Sequence, residues 1–336
     1  MEGVDKSNLK KIIINSPGQL KANLEFFNQL SIARRQFNKI ILCGVGGSSI
    51  TVNLFHYLEL NRYLPLTITT PLYPHHDYDL PPDADANSLI ICASYSGNTE
   101  ETISSYKKAR ELGLEIAGLT CGGQLADLFQ QNKIPWIKIP DKTIPPRHGL
   151  GYQMAALVKL FIAYGFLLHT AQDSLNEAAD KIQPIEIEKE VEPLIQKLFN
   201  KIPIVYSSQN NAALAKIIKI KFNEDAKIPS FFNYFPELNH NEMTGWEKPV
   251  GPFHFLLLAD DDDHIRTKKR MSITAELLKK FGWNCELIKI KSNNPLEKMF
   301  WSLTFGDWLA YKLAMAYGID PTPVNLVEEL KAQMKD

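Results

Sequence analysis

Several features that would direct the reading elsewhere are missing from this sequence. Its four cysteines, Cys43, Cys92, Cys121 and Cys285, are far apart and show no CxxC spacing. Cys43 and Cys92 fall inside apolar, strand-like runs, where a thiol is expected to be a reduced core residue. There is no charge excess: 37 Lys and Arg oppose 38 Asp and Glu, so nothing points to nucleic acid as a partner. The most apolar stretch, residues 154–168, is short and interrupted by Lys159, which suits a core helix and argues against a membrane span. The first eight residues lack the apolar run of a signal peptide, so a cytoplasmic protein is expected. The nucleotide-binding pattern GxxxxGK[ST] is missing. So is the dinucleotide fingerprint: after Gly44 and Gly46 it would need glycine at 49, where Ser49 stands. NAD is therefore disfavoured.

What is present centres on Ser94, Tyr95, Ser96, Gly97, Asn98 and Thr99. Residues 88–93 before them read as a buried strand, and residues 102–109 after them as an amphipathic helix. A strand ending in a hydroxyl-rich turn that opens a helix is where an α/β protein holds an anion. The first amides of the helix lack intrahelical partners, and the macrodipole is positive there. Ser94, Ser96 and Thr99 add hydroxyl donors, and Gly97 permits close backbone approach. With no lysine in the turn, the chemistry suits a single terminal phosphate such as that of a sugar phosphate. A plainer use of the same residues is helix capping by Asn98 or Thr99.

Strand and helix patterns alternate along the chain, which predicts an α/β protein with parallel sheets and helices on both faces. Residues 5–37 read as helical, with Leu20, Leu24, Phe27 and Leu30 as an inward stripe. Residues 39–43 read as a strand leading into the glycine-rich turn 44–50. Further strands are expected at 66–69, 88–93, 114–120 and 134–139. The charged helical stretch 171–200 reads as a connection between a first domain, 1–170, and a second, 201–336. In the second domain strands are expected at 202–206, 253–259 and 285–290, with helices at 212–225, 264–281, 296–317 and 324–334.

Three regions carry further candidates. Arg147 lies in a loop rich in Pro and Gly, where it suits an anion or oxyanion clamp or, more plainly, a surface position. In the helix 212–225, Ala213, Ile217, Ile220 and Glu224 share one face. Lys216, Lys219, Asn223 and Lys227 lie opposite and are expected to face water. Glu224 then ends an inward stripe, the partly desolvated setting that suits a general base, unless it simply turns out to solvent. His240 sits in a polar loop and suits an acid/base. A metal pair with Glu237 or Glu242 is disfavoured, because no HxxxH spacing or cysteine partner accompanies it. The run Asp260–Asp263 lacks the glycine and terminal glutamate of a calcium loop and reads as a solvated helix start. No metal site is expected.

Taken together, Gly46-Gly47-Ser48, the turn Ser94–Thr99, Pro146-Arg147, Leu150-Gly151-Tyr152, Asn223-Glu224 and the loop 236–241 resemble the bifunctional phosphoglucose/phosphomannose isomerases. These belong to the sugar isomerase (SIS) superfamily. The resemblance runs in order along nearly the whole chain, down to the residues 320–324 and Leu330-Lys331. It implies two flavodoxin-like SIS domains, each a parallel sheet in an α/β/α sandwich. It also implies a homodimer that interconverts glucose 6-phosphate and mannose 6-phosphate with fructose 6-phosphate through a cis-enediolate, without metal or other cofactor. By position, Gly47 and Ser48 match substrate contacts, and Ser94, Ser96 and Thr99 match phosphate ligands. Arg147 matches the arginine that stabilises the enediolate, and Glu224 matches the proton-transferring base. His240, contributed by the other subunit, and Lys331 match residues that assist ring opening. The sequence departs from the family pattern at Gly149, usually alanine, which is expected to loosen the arginine loop slightly. The family's use of mannose 6-phosphate is tied to a threonine whose position falls to Thr322 or Val324 here. The alternative is a SIS-type sugar-phosphate sensor, which would need the hydroxyl turn and no base.

Overall fold

The computed structural model describes residues 3–32, 35–140 and 143–334. The chain divides into two compact units, one of residues 15–182 and one of residues 1–14 with 183–336. The leading short helix α1 (Leu9–Asn15) lies almost wholly in the latter.

The unit 15–182 is built on six strands: β1 (Glu25–Phe27), β2 (Lys39–Cys43), β3 (Leu72–His75), β4 (Ser88–Ala93), β5 (Glu115–Thr120) and β6 (Trp136–Lys138). Their order across the sheet is β1-β6-β5-β4-β2-β3. β2 through β6 pair in parallel, and β1 joins the far edge antiparallel to β6. Every residue of β4 is buried, as expected of a central parallel strand covered on both faces. The helices are α2 (Gly47–Leu60), α3 (Glu100–Glu111), α4 (Gly123–Gln131), α5 (Leu150–Ala163) and α6 (Thr170–Lys181). Tyr106 of α3 and Phe129 of α4 pack on Ile90 and Ile116 of the sheet.

The other unit continues with α7 (Pro184–Leu198), β7 (Ile202–Ser208), α8 (Ala212–Glu224), β8 (Phe231–Phe235), β9 (Phe253–Ala259), α9 (Ile265–Lys280), β10 (Asn284–Lys289), α10 (Pro295–Tyr317) and α11 (Asn325–Gln333). Its sheet runs β10-β9-β7-β8, all in parallel. Gly306 lets α10 approach α8 closely: a Cβ there would stand 2.8 Å from Ile218 Cγ1. Among the described residues, no helix is long and apolar enough to cross a membrane.

Four expectations need correction. Residues 16–21 form a 3-10 turn and residues 25–27 are strand β1, so residues 5–37 are not one helix. Phe27 stacks on Trp136 of β6 at 4.7 Å, while Leu30 is fully exposed. Residues 64–66 form a 3-10 turn, and the strand beside β2 is β3, beginning at Leu72. Strand β8, an edge strand with two aromatic residues at its start, was not anticipated. Finally, the stretch 171–200 is not a linker. It divides at Ile182: α6 docks through Gln172, whose amide donates to Leu20 O at 3.1 Å. α7 docks on α10, where the Trp308 indole donates to Pro184 O at 2.7 Å.

Candidate functional site

In the six-stranded sheet the chain passes from β2 to one neighbour, β3, and then crosses to the other, β4. The carboxyl ends of β2 and β4 therefore diverge, and such a switch point is where open α/β sheets bind ligands. The glycine turn 44–48 leaves β2 here, and the hydroxyl turn Ser94–Thr99 leaves β4.

The two turns and the arginine loop are joined by direct contacts. The Tyr95 amide donates to Ser48 Oγ at 3.2 Å. A Cβ on Gly47 would stand 2.9 Å from the Pro146 carbonyl carbon and 3.1 Å from the Arg147 nitrogen, so only glycine admits that loop. The loop itself is pinned on both sides of Arg147: Gln153 Nε2 donates to Pro146 O at 2.9 Å, and Gln19 Nε2 to His148 O at 2.8 Å. Arg147 is 3% exposed, so it is no surface arginine.

Within the hydroxyl turn, Ser94 Oγ accepts from the Gly97 amide at 3.0 Å and lies 2.7 Å from Thr99 Oγ1. Ser96 Oγ accepts from the Asn98 amide at 3.2 Å and is exposed. A hydroxyl that accepts one bond still has a proton to donate. The plainer capping use is not realised. Thr99 makes no side-chain cap to α3, and Asn98 Oδ1 accepts from the Gln124 amide of α4 at 3.0 Å. Gly97 has φ +73, and a Cβ there would stand 1.7 Å from Gly122 O. Gly149 does not loosen the arginine loop: its Cβ position lies 2.6 Å from the ring of Tyr95, which packs against it.

Beneath the turns, Cys43 and Cys92 are paired across β2 and β4 and fully buried. Burial pushes the Cys43 thiol up to about 12 and that of Cys92 well above its ordinary value, so both are inert thiols.

The other candidates lie in the second unit. Glu224 is the last residue of α8 and half-buried. The inward face of α8 differs from the expected one. It consists of Leu214, Ala215, Ile217, Ile218, Lys221 and Phe222, continuing to Asp225, while Ala213 and Ile220 are half-buried. Lys221 pairs with Asp307 of α10, 1% and 9% exposed at their side chains. A carboxylate oxygen of Asp225 lies within 4.8 Å of one on Asp307. Lys227 does not simply face water either, since its ammonium donates to two main-chain carbonyls.

His240 is exposed and ends the 3-10 turn Glu237–His240 that follows β8. Glu242 is engaged elsewhere, accepting hydrogen bonds from Tyr206 and Asn233. Burial, then this carboxylate, push the Tyr206 phenol far above its ordinary range. Lys331 is exposed on α11 and pairs with Glu328 at 2.7 Å. Thr322 is half-buried, with its amide donating to Asp320 Oδ1 at 3.1 Å, and Val324 caps the start of α11.

The second sheet has its own switch point, between β7 and β9, and it carries the opposite charge. Asp260 and Asp263 are buried there, which corrects the expected solvated helix start. Lys298 donates to Asp260 at 2.5 Å and to Asp262 at 2.6 Å, and Asn211 donates to Ser208 Oγ at 3.0 Å. Burial works against charging Lys298, but these two carboxylates outweigh it and raise its pKa. Burial also raises the pKa of Asp263. A crevice lined by carboxylates and already holding an ammonium does not suit a phosphate, whereas the hydroxyl- and amide-lined crevice of the first sheet does.

Comparison with known proteins adds to this geometry. The family model for the bacterial phospho-glucose isomerase C-terminal SIS domain matches residues 187–334. The chain is 34% identical to a bifunctional phosphoglucose/phosphomannose isomerase of Caldicellulosiruptor bescii, covering 96% of this chain and 99% of that protein. It is 31% identical to the protein of the same name from Aquifex aeolicus, over 92% of this chain and 96% of that one. Among solved structures, the tagatose-6-phosphate ketose/aldose isomerase of Escherichia coli superposes with a TM-score of 0.66 at 15% identity, covering 93% of each chain. At that identity the likeness concerns the fold alone.

Proposed function

We infer, since this chain belongs to the bifunctional phosphoglucose/phosphomannose isomerase family, that it is a sugar-phosphate isomerase joining glucose 6-phosphate and mannose 6-phosphate to fructose 6-phosphate. The observation that carries the reading is the meeting of Gly47, Ser48, Ser94, Thr99 and Arg147 at one sheet switch point. In this reading the substrate phosphate sits on the hydroxyls of Ser94, Ser96 and Thr99 and the first amides of α3. Its charge is met by the helix N-terminus. Anchoring the phosphate fixes the reacting carbons in place.

Glu224 takes the proton from C2 of the aldose and returns it to C1 while the O2 hydroxyl proton passes to O1, and the reverse for the ketose. The cis-enediolate between these steps carries negative charge, which the Arg147 guanidinium stabilises. Lys331, and His240 of the other subunit of a homodimer, move protons on the ring oxygen and the anomeric hydroxyl as the ring opens. A carboxylate shuttle transfers the proton without redox chemistry, and we propose that it acts without metal. A cytoplasmic setting belongs to the same reading, supported by the buried, unbridged thiols of Cys43, Cys92 and Cys285.

The test is a coupled assay on purified protein with chelator present, supplying fructose 6-phosphate and detecting both aldoses separately. Formation of glucose 6-phosphate and mannose 6-phosphate is expected. Glucose 6-phosphate alone would remove the mannose activity and direct attention to Thr322 and Val324. Binding of fructose 6-phosphate without either product would replace the enzyme by a sugar-phosphate sensor.

The phosphate turn has its own check. In Gly97→Ala the new Cβ meets the Gly122 carbonyl and the left-handed backbone is strained. Affinity for inorganic phosphate, measured by calorimetry, is expected to fall about tenfold or more as the turn is displaced. An unchanged titration would place the phosphate elsewhere.

A further inference from the structure

The end of α8 is held at its main chain by the side chain of Lys227. Lys227, three residues beyond Glu224, has φ +57, in the left-handed region that residues with a Cβ seldom enter. Its ammonium donates to the main-chain carbonyl of Glu224 and, at 3.0 Å, to that of Pro321. These two carbonyls belong to distant parts of the chain. One ends the helix that carries the carboxylate. The other is buried at the start of the segment that runs through Thr322 and Val324 into α11, where Lys331 stands.

Both bonds are charge-assisted, which makes them about twice as strong as neutral ones. A cation at a helix C-terminus also meets the negative end of the macrodipole. The same turn is tied again by Asn223, whose amide donates to Ile228 O at 2.9 Å. Lys227 differs from that local tie because it reaches a second segment.

We propose that Lys227 is a positioning residue for the isomerisation: its ammonium clamps the Glu224 main chain to the Pro321 carbonyl. The base and the segment 320–331 thereby keep one spacing. This rests on the isomerase reading above and adds a residue that touches no reacting atom. Proton transfer depends steeply on the distance between the base and the carbon, so a loosened clamp lowers turnover while substrate binding at the phosphate turn persists.

The experiment compares wild type, Lys227→Met and Lys227→Arg for kcat and KM with fructose 6-phosphate, with thermal melting and inorganic phosphate titration alongside. Lys227→Met is expected to lower kcat about ten- to a hundredfold, with KM within about twofold and phosphate affinity unchanged. Lys227→Arg, which keeps the charge and can still reach both carbonyls, is expected to recover most of the loss. The proposal is overturned if Lys227→Met keeps its kcat, if KM carries the change, or if Arg and Met lose activity equally. Glu224→Gln measured in parallel separates the two levels. If it stays active, the base assignment itself fails; if it is inactive while Lys227→Met is normal, only the clamp fails.

Discussion

Glu224→Gln is expected to lower kcat by about 10²–10⁴-fold, the usual worth of a general base, while the protein still binds fructose 6-phosphate. The substitution keeps the size and shape of the side chain and removes only its ability to accept a proton. Glu224 is the last residue of α8, half-buried, with its carbonyl held by Lys227. The local backbone is therefore expected to survive the change. The proposed phosphate ligands Ser94, Ser96 and Thr99 follow a strand of the other sheet, so anion affinity is expected to stay at the wild-type value. Turnover is measured in the coupled assay and binding by calorimetry. A variant that binds and turns over like wild type would show that another group moves the proton. A variant that loses binding as well would mean that Glu224 holds the substrate and is not confined to the proton transfer.

Lys221→Ala is expected to destabilise the unit of residues 183–336 by about 3–5 kcal/mol, the cost of removing one partner from a buried ion pair. Lys221 is 1% exposed and its partner Asp307 is 6% exposed. Asp225, fully buried, brings a second carboxylate within 4.8 Å of Asp307. Removing the ammonium takes one compensating charge away from carboxylates held in low dielectric. The double change Lys221→Met with Asp307→Leu is expected to recover much of the loss, because a well-packed apolar pair of similar volume is often no worse than an ion pair. Chemical denaturation of the single and double variants measures both quantities and their coupling. A loss below about 1 kcal/mol in the single variant, typical of an exposed pair, would show that water reaches the site.

Much of this fold is readable because its central strands are local, uninterrupted apolar runs. β2, β4 and β9 were expected where they occur, since a parallel strand covered on both faces announces itself by composition alone. The edges were harder. β1 and β8 are short edge strands, half-buried for most of their length. β1 forms only because β6, more than a hundred residues later, supplies its hydrogen bonds. Helix faces containing paired charges were misread for a related reason. A periodicity argument assigns every lysine and aspartate to water, so it rotated α8 away from Lys221 and Asp225 and left Asp260–Asp263 solvated. Burial of those groups depends on Asp307 and Lys298, partners remote in the chain.

By itself the sequence determined the alternation of strand and helix, the hydroxyl turn Ser94–Thr99 and which positions carry the hydroxyls, carboxylates and cations that the proposed chemistry would use. These follow from residue type and nearest-neighbour spacing. Only the tertiary structure decided that Gly47 and the arginine loop touch. The same holds for the release of Thr99 from capping duty to pair with Ser94, and for the closing of the second switch point by Lys298. The contacts of Gly47 and Lys298 join segments remote in the chain, which no local pattern encodes, and are favourable only when burial removes water as the competing partner.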